Sequence, residues 1–147
     1  MRDIKTAVFW IAKYTGIFAL CRWLTRRQVR ILAYHGIWLG EGHYGNFLYI
    51  SATKFSERMK KIQTMGLPVL SLDEALKDRD KETLPACPVV ITIDDGWYST
   101  YLHMLPVLEK YNFPATLYLT TYYSEKQMPV YNVLIQYMLM TTAETIL

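Results

Sequence analysis

One run of β-branched residues constrains the fold of this chain more than any other feature. Residues 88–93 read PVVITI and are followed directly by Asp94, Asp95 and Gly96. Apolar side chains at consecutive rather than alternate positions predict a strand buried on both faces, which is typical of a parallel sheet. Because parallel strands need long crossover connections, helices are expected between the strands, and the chain is predicted to be an α/β protein.

The remaining patterns agree with alternating strands and helices. Strands are predicted at residues 29–34, 68–71 and 115–120, and helices at residues 53–65, 71–77, 98–111 and from residue 130 onward. Residues 36–52 show no period and are predicted to be a long loop. A closed barrel needs roughly eight strands, and the 147 residues provide about half of that number. We therefore expect an incomplete (β/α) barrel.

The beginning of the chain differs from the rest in charge. Residues 1–30 hold seven basic residues and one acidic residue, a net charge of +6, whereas the remainder carries −3. Apolar residues recur there at helical spacing, which predicts one basic amphipathic helix over residues 1–28, ahead of a domain at residues 29–147. These residues are Ala7, Trp10, Ile11, Tyr14, Ile17, Phe18 and Cys21.

This first helix has three possible surroundings. It could pack on its own domain, lie on an anionic membrane surface, or span the membrane with Lys13 in the middle of the apolar run. No A-x-A-like site follows it, so a cleavable signal peptide is not indicated. The body of the chain lacks a basic patch with interleaved aromatic residues, which argues against a nucleic-acid partner. The two cysteines, Cys21 and Cys87, have no metal-type spacing and are predicted to be buried thiols.

The two aspartates after the central strand are the best candidates for chemistry. In a parallel sheet, ligands collect at the carboxyl ends of the strands, where Asp94 and Asp95 stand. One of two adjacent carboxylates can be held ionised by a cation while its neighbour acts as a base. Gly96 permits a sharp backbone turn. The alternative is an ordinary Asp-Gly turn without a catalytic role.

The flanking residues resemble a known family. Residues 91–97, ITIDDGW, are similar to the first signature of the polysaccharide deacetylases of the NodB-homology type, carbohydrate esterase family four. Residues 32–36, LAYHG, resemble the early Tyr-His strand end of that family. Residues 55–76 resemble its helix-strand-helix segment, and residues 111–118, YNFPATLY, its next strand. The resemblance runs from about residue 29 to residue 120.

The resemblance implies an acetyl-removing hydrolase that acts on a polysaccharide of amino sugars. It makes Asp94 the catalytic base and Asp95 a ligand of a divalent metal, usually zinc, which would activate a water molecule. The family completes its metal site with a later His-x-x-x-His motif, which this sequence lacks. We therefore expect a chain truncated before the metal-binding histidines. The alternatives are an inactive remnant of such an enzyme and a membrane-surface binding module.

Three further residues are weaker candidates for substrate contact. His35 is predicted to stand at a strand end on the same rim as Asp94 and Asp95, where it could contact substrate or be a structural histidine. Trp97 and Tyr98 could stack on a sugar ring or pack beneath the rim. The other histidines are His43, predicted to be exposed, and His103, predicted to be structural.

Overall fold

The computed structural model describes residues 2–38, 47–77 and 83–142, and for residues 2–4 it describes the backbone alone. The helices are α1 (Arg2–Tyr14), α2 (Ile17–Leu24), α3 (Ala52–Thr64), α4 (Leu72–Lys77), α5 (Leu105–Tyr111), α6 (Thr121–Lys126) and α7 (Tyr131–Thr141). The strands are β1 (Arg30–Tyr34), β2 (Gly36–Ile37), β3 (Tyr49–Ile50), β4 (Val69–Leu70), β5 (Val89–Asp95) and β6 (Thr116–Leu119).

The main sheet is built around β5. All of its pairings are parallel: with β1 along residues 89–93, with β4 at Val89 and Val90, and with β6 from Thr92 to Asp95. The pairing ranges show that β4 and β6 share the edge of β5 opposite β1. From Val89 to Ile93 this strand is buried. The predicted α/β class with a parallel sheet is therefore confirmed, and the architecture is consistent with part of a barrel.

The core lies between the sheet and the helices that cover it. Helix α3 presents Phe55, Met59 and Ile62 at helical spacing, and all three are buried. They belong to one cluster with Ile91 and Ile93 of β5. Burying side chains of this size contributes roughly 1.5–3 kcal/mol each.

Side-chain caps define where two of these helices begin. The Oγ of Ser51 accepts a hydrogen bond from the backbone N–H of Lys54 at 3.1 Å, which starts α3. At α4, Ser71 Oγ accepts from the N–H of Glu74 at 3.2 Å, and the Glu74 carboxylate accepts from the N–H of Ser71 at 2.8 Å. These two reciprocal bonds form a capping box.

The region after β5 is not a uniform α-helix. A π-helical turn at Thr100–Met104 precedes α5, and Pro106 stands in the first turn of α5. Proline has no backbone N–H and cannot make the bond to the preceding helical turn. This absence suits a change of helical pitch at that point.

The prediction of one continuous N-terminal helix is wrong. Helix α1 ends at Tyr14 and α2 begins at Ile17, because Gly16 between them adopts a left-handed conformation with φ 79°. The apolar side chains of this pair are exposed rather than packed on the domain; Trp10 is 52% exposed and Tyr14 is 77% exposed. Cys21 is also exposed, which corrects the prediction of a buried thiol, whereas Cys87 is buried as predicted.

No single helix among residues 2–38, 47–77 and 83–142 combines the length and apolarity needed to cross a membrane. Helices α1 and α2 meet those criteria only as a pair, bent by 78° at the break between them.

The predicted loop at residues 36–52 contains two short strands. β2 and β3 pair in parallel, with Gly36 opposite Tyr49 and Ile37 opposite Ile50. Two-residue strands have no periodicity to detect, which explains why the sequence did not reveal them. The helix α6 was likewise not predicted. His43 lies outside the described residues.

Candidate active site

The central strand carries both aspartates to the rim of the sheet. Asp94 and Asp95 are the last two residues of β5, and they follow five buried positions. About a third of the Asp94 side chain is exposed, and Asp95 is exposed. The pair is therefore fixed by a buried strand in the interior of the sheet while its carboxylates remain accessible to solvent.

The turn that follows is tight and depends on left-handed backbone. Asp95 has φ 72° and Gly96 has φ 73°. The N–H of Gly96 donates to the carbonyl of Asp94 at 3.0 Å, and the N–H of Thr120 donates to the carbonyl of Asp95 at 3.4 Å. A left-handed conformation at an aspartate costs on the order of 1 kcal/mol or more, and such strained residues cluster at functional sites.

The register of the sheet brings His35 to Asp94. Tyr34 of β1 pairs with Ile93 of β5, so the residues that follow each of them lie side by side. The Nε2 of His35 is 3.8 Å from Oδ2 of Asp94. This separation is within ion-pair range when the imidazole is protonated, and too long for a direct hydrogen bond. Of the predicted rim residues, His35 thus lies beside Asp94.

Asp95 has a different set of partners. The indole Nε1 of Trp97 donates to Oδ2 of Asp95 at 3.2 Å. The hydroxyl of Thr120, just beyond β6, donates to Oδ1 over a longer 3.5 Å. Each carboxylate oxygen has two lone pairs, so these bonds fix the carboxylate and leave acceptor capacity on both oxygens.

A buried tyrosine completes the surroundings of Asp95. Burial, and secondly the negative charge of Asp95, raise the pKa of Tyr49 to about 12. The Tyr49 ring packs edge-on against Trp97, with 5.5 Å between the ring centroids. Gly36 lies under this ring, and a Cβ there would come within 2.8 Å of it. The absence of a side chain at position 36 therefore lets Tyr49 approach.

The strand β2 is tied to the segment that follows the aspartates. The backbone N–H of Ile37 donates to Oγ of Ser99 at 3.1 Å, and both residues are buried. This bond joins the end of the β1–β2 segment to the helical region directly after the Asp94–Trp97 turn, so His35 and the aspartates are held by one connected framework.

Two cavities flank the turn. One, of about 270 Å³, is lined by Asp95, Trp97, Tyr98, Thr120, Tyr123 and Ser124 among others. The second, of about 440 Å³, is lined mainly by apolar side chains from β5, β6 and α5 together with Trp97 and Tyr98. Tyr98 is 69% exposed. Trp97 and Tyr98 therefore line both cavities, and whether either contacts a sugar remains a prediction.

The described residues do not form a set of metal ligands. Across residues 2–38, 47–77 and 83–142, no three side chains of His, Cys, Asp or Glu lie together as a ligand set. Catalytic zinc generally takes three protein ligands. The Asp95 carboxylate suits one ligand position, and His103 is directed elsewhere, into a cavity shared with Thr53 and Glu57 of α3.

Sequence reasoning missed Tyr49 and Thr120. Thr120 follows β6 as Asp94 and Asp95 end β5, so the rule that strand ends meet at one rim could have found it. Tyr49 stands in an aperiodic stretch, and no pattern in the sequence connects it with Asp95.

The fold is of the α/β class, and the candidate site lies at the carboxyl ends of parallel strands, where proteins of that class bind their ligands. Residues 81–141 match the family model of the polysaccharide deacetylases. The Bacillus subtilis (strain 168) protein named "Putative polysaccharide deacetylase YxkH" is 35% identical over 94 residues, which cover 63% of this chain and 32% of that protein.

Solved structures show the same relationship. The deacetylase PplD of Streptococcus pyogenes, in complex with acetate, matches with a TM-score of 0.60 and 29% identity, over 67% of this chain and 45% of that one. IcaB of Ammonifex degensii matches with a TM-score of 0.53 and 28% identity, over 62% of this chain and 37% of that one. These matches show that part of this chain is similar to the polysaccharide deacetylases, with the family model matched over residues 81–141. The chain spans about a third of the length of the curated relative.

Proposed function

We propose that this chain contributes to the hydrolytic removal of acetyl groups from a polysaccharide of amino sugars. The observation that carries the proposal is the pair of unlike carboxylates at the end of β5. Asp94 is partly exposed beside His35, and Asp95 is held by Trp97 and Thr120. The support from relatives comes from deacetylases, one of which was solved with acetate, a product of such a reaction.

In this proposal Asp94 is the general base. It accepts a proton from the water molecule whose oxygen forms the new bond to the acetyl carbon. The C–N bond of an acetamide, or the C–O bond of an acetyl ester, then breaks, and the sugar nitrogen or oxygen takes up a proton. His35, 3.8 Å from Asp94, contacts substrate at the same rim.

Asp95 is proposed as a ligand of a divalent metal. Its carboxylate is fixed by donors at both oxygens and retains lone pairs for a cation. When bound, zinc makes water more acidic and polarises a carbonyl group. Asp95 alone does not complete such a site, and the described residues offer no full set of ligands.

Trp97 and Tyr98 are proposed to form a surface for the sugar. Both line the cavity of about 270 Å³ beside Asp95, and aromatic rings with polar tips suit a ligand that is apolar on one face and hydroxylated at its edges. Trp97 then has two roles, because its indole N–H also donates a hydrogen bond to Asp95.

The test is acetate release from acetylated glucosamine oligomers at saturating zinc. Asp94→Asn keeps the shape of the side chain but removes the base, and the expected loss of rate is at least about a hundredfold. Asp73→Asn, at an exposed position on α4, is the matched control and should leave the rate unchanged. Equal release by the wild-type protein and Asp94→Asn would contradict the proposal.

A second candidate is a non-catalytic protein that keeps the strand order of the family. It is favoured by the lack of a three-ligand cluster among residues 2–38, 47–77 and 83–142. It predicts that the wild-type protein releases no more acetate than Asp94→Asn, whatever the zinc concentration, while both proteins keep the same thermal stability.

A further inference from the structure

Helices α1 and α2 expose a large apolar surface away from the domain core. All of the large apolar side chains that follow are at least 46% exposed: Val8, Phe9, Trp10, Ile11, Tyr14, Ile17, Phe18, Leu20, Trp23 and Leu24. Soluble monomers rarely leave contiguous patches of this kind uncovered, and such patches mark interaction surfaces. The pair α1–α2 is therefore a candidate interaction surface.

The dimensions of the pair favour a surface over a span. Helix α1 has 13 residues and α2 has 8, which correspond to lengths of about 20 Å and 12 Å. Each is shorter than the roughly 30 Å of a bilayer core. The bend of 78° between them also prevents the two from continuing along one axis. Two short helices joined at an angle suit the plane of a membrane interface.

The charges on α1 and α2 indicate an anionic partner. Residues 2–24, which form the pair and its break, hold four basic residues and one acidic residue, a net charge of +3, and two further arginines follow at positions 26 and 27. Some of these cations stand directly over aromatic rings. Lys13 Nζ is 4.8 Å from the Trp10 ring centroid, and the Arg26 guanidinium carbon is 4.8 Å from that of Trp23. Aromatic rings with adjoining cations are the side chains found at the boundary between lipid tails and headgroups.

Helix α7 is also apolar and exposed, but it lacks the basic residues that accompany the apolar side chains of α1 and α2. It exposes Leu139 and Met140 to a similar degree, 64% and 61%, yet its sequence, YNVLIQYMLMT, contains no charged residue. An uncharged apolar helix suits coverage by protein. The basic charge of α1–α2 singles out an anionic partner.

The contacts between the segment after α2 and the start of β5 show where the helix pair lies relative to the candidate site. The N–H of Cys87, just before β5, donates to the carbonyl of Arg26, after α2, and Arg30 pairs with Val89 at the amino end of β5. Asp94 lies five residues further along that strand, about 16 Å away. The helices thus join the sheet at the end of β5 opposite the aspartates.

We propose that residues 1–28 form an anchor for an anionic membrane surface, which leaves the Asp94–Asp95 rim facing away from the bilayer. The cations bind lipid headgroups, and the apolar and aromatic side chains enter the interface. This inference concerns a surface separate from the candidate active site, so it stands or falls independently of the proposed function.

The test is flotation of the purified chain with phosphatidylcholine vesicles, prepared with or without one third phosphatidylglycerol. We expect binding to the anionic vesicles, and weakening as salt is added. Neutralising Lys5, Lys13 and Arg22 to glutamine should lower the partition coefficient about fivefold per charge, or roughly a hundredfold together. Trp10→Ser with Phe18→Ser should also abolish flotation.

The matched control is Leu139→Ser with Met140→Ser, which removes equally exposed apolar side chains from α7 and should leave binding unchanged. Equal binding to neutral and anionic vesicles would overturn the proposal, as would an equal loss with the α7 control. A dimer that Trp10→Ser and Phe18→Ser dissociate, in a chain that does not float with vesicles, would assign the surface to a second copy instead.

Discussion

Asp94 and Asp95 are adjacent in sequence but differ in every contact. Asp94 is beside the imidazole of His35, whereas Asp95 accepts hydrogen bonds from Trp97 and Thr120 and lies near buried Tyr49. Hydrogen bonds that fix both oxygens of Asp95 suit the binding of a cation. Asp94 has His35 at 3.8 Å, too far for a direct hydrogen bond, and this suits a carboxylate that accepts a proton. This difference is the physical basis for giving the two aspartates separate roles.

The raised pKa of Tyr49 predicts a change of stability at high pH. The folded protein holds the phenolic proton up to about pH 12, while an unfolded chain loses it near pH 10. The stabilisation is therefore complete below pH 10 and is lost as pH rises to about 12. A difference of this size amounts to roughly 2–3 kcal/mol.

The measurement is the free energy of unfolding in urea at pH 9 and at pH 11.5 or above. The informative quantity is the difference between the wild type and Tyr49→Phe, because Tyr49→Phe should lose less stability with pH than the wild type. Tyr118→Phe, at an exposed site on β6, should behave like the wild type. Identical pH profiles for the wild type and Tyr49→Phe would contradict the assignment.

The sequence identified those residues of the candidate site that follow a predicted strand or stand in a signature. Asp94 and Asp95 follow a buried strand and stand in a signature, and His35 ends the neighbouring strand; all three lie at one rim, although their roles remain predictions. Tyr49 could not be predicted, because its proximity to Asp95 depends on a two-residue strand and on the missing side chain of Gly36. Such contacts arise from tertiary structure and leave no local pattern.

Elements with strong local signals were predicted to within a few residues. Helix α3 has the periodic residues Phe55, Met59 and Ile62 with a serine cap, and α4 has a complete capping box. The N-terminal helix was predicted without its break, because a single glycine is tolerated within a helix and the sequence does not show that Gly16 adopts φ 79°.

The turn between β5 and the π-helical segment gives a prediction for Gly96. Alanine there would combine a left-handed φ with a collision against Leu119 Cδ1, whereas Gly66 has a similar φ of 61° and open space around it. We expect Gly66→Ala to cost about 1 kcal/mol of stability from backbone strain. Gly96→Ala should cost about 1 kcal/mol more, because Leu119 must leave its rotamer.

The comparison requires the free energy of unfolding of both variants in urea. Gly66→Ala is the control for backbone strain, so the extra loss in Gly96→Ala reports the close packing of the turn against β6. Equal losses in the two variants would show that Leu119 does not confine the turn.

In the folded chain β5 is largely buried, whereas β6 and α7 are largely exposed to solvent. On β6, Leu117, Tyr118 and Leu119 are each about half exposed. The side chains of α7 are also open to solvent. Among the strands that the structure describes, β6 pairs with β5 on one edge only, and such an edge can pair with another chain.

We therefore expect the purified 147-residue chain to associate as its concentration rises. Leu139→Glu with Met140→Glu adds charge to the exposed surface of α7 and should reduce association. Sedimentation velocity across a concentration series measures the change, and an equivalent double substitution at exposed polar positions, Gln63→Glu with Thr64→Glu, serves as the control. A monomer at every concentration, with a sharp cooperative melt, would contradict the expectation.

The division of roles between the two aspartates is tested most directly by zinc affinity, measured by calorimetric titration of the wild type, Asp95→Asn and Asp94→Asn. We expect Asp95→Asn to lower the affinity at least about tenfold, and Asp94→Asn to change it little. An unchanged affinity in Asp95→Asn, or a larger loss in Asp94→Asn, would contradict the assignment of Asp95 as the metal ligand and Asp94 as the base.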